Sequence, residues 1–139
     1  MQHMATRTRS FRLSDSLLSR LSDRAVSTGE SASALAARYL DEALRVDEHP
    51  AVVFVTRPGG PRAMLAGTRL NVADVVAAAK AGGSAEAAGE SLDLPVAKVR
   101  ASLRYYADFK DEVDAEIERD LGAAEREEAR WRQEQNALD

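Results

Sequence analysis

Three arginines stand close together near the start of the chain. Arg7, Arg9 and Arg12 fall within residues 1–14, which contain no aspartate or glutamate, so three positive charges give this stretch a formal charge of +3. A guanidinium group can bond a guanine edge or a phosphate through two hydrogen bonds at once. The hydroxyls of Thr8 and Ser10, which lie between the arginines, can reach bases or phosphates. This cluster indicates contact with nucleic acid.

A strand is the element that would carry these side chains. From Thr8 to Ser14 polar and apolar side chains alternate, with Phe11 and Leu13 on one face, and a period of two is typical of a half-buried strand. A single strand leaves both edges without hydrogen-bond partners, and the simplest solution is antiparallel pairing with the same segment of a second chain. An ordinary edge strand of a small α/β domain is the alternative.

A two-stranded ribbon of this kind fits the major groove of DNA. Its outer face would present Thr8, Ser10 and Arg12 from each chain to the bases. Arg7 and Arg9 would contact phosphates, which adds affinity without sequence choice. Because phosphate contacts release counterions, DNA binding is expected to depend strongly on salt.

Two helices are predicted after the strand. Ser14 or Asp15 can cap the first helix, and Gly29 follows it at a position where a left-handed residue is favoured. Ser31 can cap the second helix, which is expected to run to about Val46 and to stop before the next proline. The apolar positions with helical spacing are Leu17, Leu18, Leu21 and Ala25 in the first helix and Leu35, Tyr39, Leu40, Ala43 and Leu44 in the second.

The start of the second helix adds a candidate phosphate contact. Residues 29–33 would leave free backbone N–H groups at a helix N-terminus, beside the hydroxyls of Ser31 and Ser33. The alternative is that these serines only cap the helix.

Residues 7–46 resemble the ribbon-helix-helix family of bacterial repressors and antitoxins. The residues that carry the resemblance are the alternating stretch Ser10-Phe11-Arg12-Leu13-Ser14, the pair Leu18 and Leu21, the pattern Gly29-x-Ser31-x-Ser33 and the Ala/Leu-rich helix after it. The resemblance implies a dimer in which the outward strand residues, here Thr8, Ser10 and Arg12, read the bases.

The middle of the chain combines a hairpin pattern with three short helices. Ala51–Val55 is rich in β-branched residues and predicts a strand, residues 57–61 predict a turn, and Arg62–Leu65 predicts a short return strand. The predicted helix starts are Asn71, Ser84 and the pair Leu94-Pro95. The apolar stripes are Val72, Val75, Val76 and Ala79 in the first of these helices and Val96, Val99, Leu103 and Tyr106 in the third.

Residues 51–120 resemble a second family, a short helical domain of unknown function that recurs in predicted bacterial antitoxins and is often described as helix-turn-helix-like. The carrying residues are Ala66-Gly67-Thr68-Arg69-Leu70-Asn71-Val72, Ala81-Gly82-Gly83-Ser84 and Val99-Arg100-Ala101-Ser102-Leu103-Arg104-Tyr105-Tyr106. The chain departs from the family at Leu70-Asn71, where Ile-Pro is common, although asparagine can still cap the helix.

This second resemblance implies a further DNA contact through Lys98, Arg100 and Arg104. Dimerisation or docking of a toxin is the equal alternative for this domain. Arg69, at a helix start, could reach a phosphate, but an ion pair within the fold is the expectation we favour for it.

The last part of the chain is acidic and predicts a long solvated helix from Lys110 onward. Residues 108–139 contain five basic and twelve acidic side chains, which gives 5 − 12 = −7. The apolar side chains of this helix form a narrow stripe, too thin to hold a core alone. Its members are Val113, Ile117, Leu121, Ala124, Trp131 and Leu138.

Antitoxins of the Vap type, which the first resemblance includes, join a DNA-binding head to a tail that covers a toxin, a PIN-domain ribonuclease with acids holding magnesium. The resemblance implies that Arg130, Trp131 and Arg132, with Leu121, contact such a toxin. Tryptophan and arginine are frequent in binding hot spots, and an arginine can match an acidic site. The alternative is a solvated helix on which Trp131 packs against its own dimer mate.

Several functions find no support in the sequence. There is no cysteine, no glycine-rich phosphate loop with a lysine and no apolar run of membrane-helix length. His49 lies beside a proline with no evident partner, and Met1 to Met4, including His3, resemble a cloning remnant with Met4 as a candidate natural start. We therefore expect a cytoplasmic protein that is not an enzyme and has no catalytic residues, metal site or cofactor.

The sequence thus predicts a mainly α protein in three parts. Residues 1–49 form a ribbon-helix-helix domain with an intermolecular ribbon, residues 50–109 a small helix-turn-helix-like domain with a hairpin, and residues 110–139 an acidic helix. Aromatic residues make up only 5% of the chain, and a core built on alanine often needs a second chain.

The expected function is that of a dimeric antitoxin, or a higher oligomer, that binds operator DNA and a toxin. A stand-alone repressor without a toxin partner and a structural adaptor are the alternatives.

Overall fold

The computed structural model describes residues 6–139, so the apparent cloning remnant with His3 lies outside the described residues. The described part contains six helices and one two-stranded antiparallel sheet, which confirms the mainly α prediction. The chain divides into two compact units, Met1–Ala43 and Leu44–Asp139. The division falls within the second helix, six residues before the predicted boundary at residue 49, because the last turn of that helix packs with the second unit.

The first unit begins with a segment that has no partner strand. Residues 6–14 are exposed and form no sheet within the described chain. Helix α1, Asp15–Thr28, is capped by Ser14, whose extended backbone leaves its Oγ to accept from the Leu17 N–H at 3.1 Å. Pairing of Thr8–Ser14 with a second copy stays a prediction, since it needs another chain.

Gly29 separates the two helices of the first unit. Its φ of +73° is in the left-handed region, and its N–H closes the end of α1 on the carbonyl of Ala25. Helix α2, Ala32–Glu48, follows and is capped by Ser31, whose Oγ accepts from the Ala34 N–H at 3.1 Å. The predicted caps are confirmed, and α2 ends two residues later than predicted but before Pro50.

The apolar side chains of the first unit remain largely outside. Only Ala25 and Leu35 are buried among its described residues. The large apolar side chains left exposed are Phe11, Leu13, Leu17, Leu18, Val26, Tyr39 and Leu40. The two helices therefore enclose almost no core of their own.

The second unit opens with a tight hairpin. Strand β1, Val52–Arg57, pairs antiparallel with β2, Gly60–Leu65, in an unbroken register from Val52 opposite Leu65 to Arg57 opposite Gly60. Positive φ values at Gly59 and Gly60 let the chain reverse within two residues. The strands are therefore longer at the turn than the predicted Ala51–Val55 and Arg62–Leu65.

Four helices complete the second unit. They are α3 (Val72–Gly82), α4 (Ala85–Leu92), α5 (Val96–Asp108) and α6 (Lys110–Ala137). Asn71, Ser84 and Pro95 occupy the N-cap positions of the first three, as predicted. The hairpin and α3 to α6 enclose two neighbouring apolar clusters, and the predicted stripe of α3 is buried in them.

The buried face of α5 differs from the predicted one. Val99 is fully buried as predicted, and Ser102 and Tyr105 are the other fully buried residues. Leu103 and Tyr106 are only partly buried. The face is shifted by about one residue because α5 packs against both α3 and α4, not against one neighbour.

Helix α6 is attached only by its first part. Val113 is buried and Ile117 packs against the same cluster, whereas Leu121 and the apolar side chains after it are exposed or partly exposed. The thin stripe predicted for this helix is thus divided between an anchored and a free portion.

Candidate nucleic-acid interface

The arginines of the N-terminal segment have no partner within the described chain. Arg7, Arg9 and Arg12 are exposed, and none of them makes an ion pair or a side-chain hydrogen bond with residues 6–139. Thr8 and Ser10 are exposed beside them. All five predicted DNA-contact residues of the segment are therefore free to meet an external anion.

The two apolar residues of the same segment are equally uncovered. Phe11 is 68% exposed and Leu13 is 42% exposed. Aromatic and leucine side chains in an extended segment are stabilised only when another surface covers them. The segment thus combines free cations with apolar side chains that lack a covering layer.

At the start of α2, the contacts of the serines favour helix capping over the predicted phosphate contact. Ser31 caps the helix, as described above, and Ser33 is exposed without a side-chain hydrogen bond among the described residues. Glu30, just before the cap, accepts two hydrogen bonds from Arg38, the shorter at 2.6 Å, and this contact lowers the pKa of Glu30. A carboxylate at this position already offsets the positive end of the helix, which makes the site less favourable for a phosphate.

Arg69 has no ion pair among the described residues and is exposed, so the expectation of a structural pair is wrong for it. The preceding Thr68 is the structural member of the motif. Its Oγ1 donates to the Leu65 carbonyl at 2.7 Å and accepts from the Leu70 N–H at 3.1 Å, after Gly67 has turned with a φ of +76°. The Gly-Thr pattern therefore closes the turn after β2 and leaves the arginine side chain outside.

The three basic residues of α5 do not share one face. Arg100 and Arg104 are four positions apart, whereas Lys98 lies about 160° around the helix from Arg100. Arg100 also pairs with Glu86 at 3.2 Å, with both side chains more than half exposed. The helix thus offers a pair of cations and a single separate one, which is weaker support for a second DNA contact.

The free portion of α6 carries the residues expected to contact a toxin. Trp131 is 59% exposed and Leu121 is 60% exposed. Arg132 pairs with Glu128 at 2.7 Å on the surface, a contact of small energetic value, and Arg130 makes no ion pair among the described residues. The indole ring is bordered by Arg130 and by glutamates of the same helix.

The anchor of α6 depends on residues that the sequence did not single out. Arg62 of β2 bonds Asp120 at 2.7 and 3.1 Å and Glu116 at 2.8 Å, and its pKa is raised chiefly by the hydrogen bond to Asp120. Arg45 bonds Glu112 and lies 3.8 Å from the centre of the Phe109 ring. These partners are 54 to 67 residues apart in sequence, and no local pattern indicates them.

His49 also has a partner, contrary to the sequence expectation. Its Nε2 lies 2.8 Å from the Asp108 carboxylate, and its ring meets Tyr105 and Phe109 edge to face. Burial raises the pKa of Tyr105, whose hydroxyl accepts a hydrogen bond from Arg45. This cluster holds the last turn of α2 against the end of α5, within the second unit.

Two further findings concern residues 6–139 as a whole. No group of three or more His, Asp or Glu side chains is placed to hold a metal ion there. None of the described helices is both long and apolar enough to cross a membrane.

Comparison of the chain with protein-family models, with curated proteins and with solved structures finds no match.

Proposed function

We propose that this protein is a dimeric DNA-binding antitoxin of the ribbon-helix-helix kind. One observation carries the proposal. The first unit leaves its large apolar side chains exposed, while Arg12, which alternates with Phe11 and Leu13, and Arg7 and Arg9 before it make no ion pair with residues 6–139. A second copy would cover Phe11 and Leu13, and DNA would meet the opposite face, which carries Arg12.

The free energy of burying apolar side chains favours a dimer. Full burial of a leucine or phenylalanine side chain is worth about 1.5–3 kcal/mol, and among its described residues the first unit buries only Ala25 and Leu35 by itself. Helix propensity and caps do not stabilise two short helices without packing. Covering Phe11 and Leu13 together with the exposed leucines of α1 and α2 would supply the missing core.

The positive charge of the N-terminal segment favours DNA as its partner. Two paired segments would bring Arg7, Arg9 and Arg12 together with their copies on a ribbon about as wide as the major groove. Arg12, between the apolar pair, is the best placed to reach a base edge, and Arg7 and Arg9 would bind phosphates. The overall charge of −4 does not oppose this, because the acidic side chains concentrate in residues 108–139.

The free portion of α6 supports the antitoxin role over that of a stand-alone repressor. Trp131 and Leu121 are exposed on the free portion of α6, beyond the part that packs on the core, and Arg130 has no ion pair among the described residues. We propose that Leu121, Arg130, Trp131 and Arg132 bind a toxin with an acidic site, such as a PIN-domain ribonuclease. A repressor without a toxin would need no such surface.

The DNA arm of the proposal is tested by Arg12→Ala. Because the side chain is expected to contact a base, the change should weaken binding to the promoter of its own gene by roughly 5- to 150-fold, which matches a loss of about 1–3 kcal/mol. The dimer should persist. A gel shift at fixed salt measures the affinity, and Arg126→Ala in α6 is the control that removes the same charge from the acidic region.

Equal affinity of Arg12→Ala and the unchanged protein would contradict the ribbon assignment. An equal loss in both variants would instead indicate a non-specific effect of net charge.

A further inference from the structure

The two edges of the β1–β2 hairpin are protected very differently. On β2, Pro61 has no N–H to offer, and the outer side is occupied by Leu70 and Asn71, since the Leu65 N–H donates to the Leu70 carbonyl at 3.0 Å and Met64 forms a bridge with Asn71. Strands with exposed edges are normally protected by such prolines, charges or coverings. The edge of β2 is closed in this way.

The edge of β1 has none of these devices along its centre. From Val52 to Thr56 the strand contains no proline and no charged residue, and its register with β2 is continuous without a bulge. Among the described residues, β2 is the only element that packs extensively along β1. Val53 is 38% exposed and Thr56 is exposed. This edge is open and apolar.

The register identifies which peptide groups point outward. Thr56 lies opposite Pro61, so this pair cannot be a hydrogen-bonded one, and in an antiparallel ladder the pairs alternate. Phe54 and Thr56 therefore direct their N–H and C=O groups away from β2. Outside the β1–β2 ladder, neither residue has a hydrogen-bond partner among residues 6–139, whereas the Val52 N–H donates to the His49 carbonyl at 2.9 Å.

We propose that the open edge of β1 pairs antiparallel with the same edge of a second copy, which makes a four-stranded sheet across a two-fold axis at Val55. In this register Phe54 of one chain and Thr56 of the other form hydrogen-bonded pairs, and all of their outward groups are satisfied. Val55 then faces its own copy in a pair without hydrogen bonds, where side chains approach most closely.

The side chains of β1 are compatible with antiparallel pairing to a second copy of β1. Arg57 would lie opposite Val53 of the other copy, so no like charges meet across the new pair, and Val55 would add a contact between β-branched side chains. A two-stranded hairpin is marginal by itself, and a third and fourth strand stabilise it. The contact belongs to the second unit and does not depend on the DNA-binding proposal.

The test uses the absence of cysteine from the chain. In Val55→Cys the two thiols would face each other with Cα atoms about 4.5 Å apart, which suits a disulfide. Val53→Cys is the matched control on the same face of the strand. Its copies would be offset by four residues, roughly 14 Å along the strand, and could not join within one pair.

Mild oxidation of the full-length proteins, followed by non-reducing electrophoresis, should give covalent dimers of Val55→Cys at least tenfold faster than those of Val53→Cys. Rates within a factor of two of each other would overturn the proposal, because they would reflect random collision.

Hydrogen exchange of the unsubstituted protein gives an independent measurement. The Phe54 and Thr56 amides should be protected in concentrated solution and lose at least tenfold in protection on dilution, while the Val53 and Val55 amides, which face β2, stay protected. Protection of Phe54 and Thr56 that does not change with concentration would overturn the proposal, because the edge would then be covered within a single chain. Absence of protection at every concentration would overturn it too.

Discussion

The two units of this protein place similar apolar patterns in opposite environments. Of the fifteen hydrophobic residues buried in the described chain, thirteen belong to the second unit and only Ala25 and Leu35 to the first. Both units have amphipathic helices with sound caps, such as Ser14 and Ser84 at helix starts and Gly29 and Gly83 at helix ends. The difference shows that caps and apolar spacing specify the helices, whereas packing partners determine whether a unit has a buried core of its own.

The clearest way to test the completeness of the second unit is Tyr105→Ala. Tyr105 is 1% exposed and touches both Phe54 and Phe109, so its removal leaves a cavity in the core. We expect the free energy of unfolding of this unit to fall by about 3–5 kcal/mol at every protein concentration. Denaturant titration of the full chain measures it.

The matched control is Tyr105→Phe, which keeps the ring and loses only the hydrogen bond with Arg45, at a cost of about 1 kcal/mol. A loss below 1 kcal/mol for Tyr105→Ala would show that the second unit also needs an external partner, and the contrast between the units would disappear.

Phe11→Ala tests the opposite property in the first unit. If Phe11 stays exposed, its removal should change stability by less than about 0.5 kcal/mol. If a second copy covers it, each chain loses about 1.5–3 kcal/mol, and the dissociation constant of the dimer rises on the order of a hundredfold or more. We expect the second result in a sedimentation series over dilution.

That series is best run in a Val55→Lys background, where two like charges oppose pairing through β1. Leu138→Ala, which truncates a side chain 81% exposed on α6, is the control and should leave the dissociation constant unchanged. Equal constants for Phe11→Ala and the control would show that the first unit is not held together by its segment.

The smallest effect on stability is expected for Trp131→Ala combined with Arg132→Ala. Both side chains are exposed on α6, so the free energy of unfolding should change by less than about 0.5 kcal/mol. Toxin neutralisation should nevertheless be lost, since tryptophan and arginine commonly dominate interfaces. Growth of cells that co-express the protein encoded by the adjacent gene measures neutralisation, and a gel shift should show unchanged DNA binding.

If the double variant still neutralised the toxin, the toxin contact would have to lie elsewhere, and we would assign it to residues 51–107. Exposed apolar residues would then serve self-association in both units. The proposed division between a DNA-binding first unit and a toxin-binding α6 would not hold.

Much of the local structure followed from the sequence. Helix caps and tight turns act within a few residues, so they can be predicted from the spacing of residue types alone. Examples are the caps Ser14, Ser31 and Ser84 and the turn at Gly59. The stripe of α3 was also predicted correctly, because a helix that faces a single core shows a simple period.

Contacts between distant parts of the chain could not be predicted in this way. The face of α5 was misplaced because its buried residues, among them Ser102, are chosen by two neighbouring helices at once. His49 looked unpartnered because Asp108 lies about sixty residues away, and the same distance hid the pairing of Arg45 with Glu112. Opposite charges were visible, but their pairing depends on the tertiary fold.

The candidate DNA interface could be predicted only in part. The sequence predicted that Arg12 would face outward, that Arg7 and Arg9 would contact phosphates and that Phe11 would need a cover, and in the described chain all four side chains are exposed. Sequence periodicity specifies which face is apolar, but the covering surface is another molecule, which one chain does not contain.

Helix α6 is one continuous helix of 28 residues, about 42 Å long, but its two ends are not equally secured. The salt bridges of Arg62 reach Asp120, and Gly122 follows immediately at the point where tertiary support stops. Glycine weakens a helix interior by about 1 kcal/mol relative to alanine. The distal half can therefore unwind locally without disturbing the body, so that a bound partner would be what keeps this end of the helix wound.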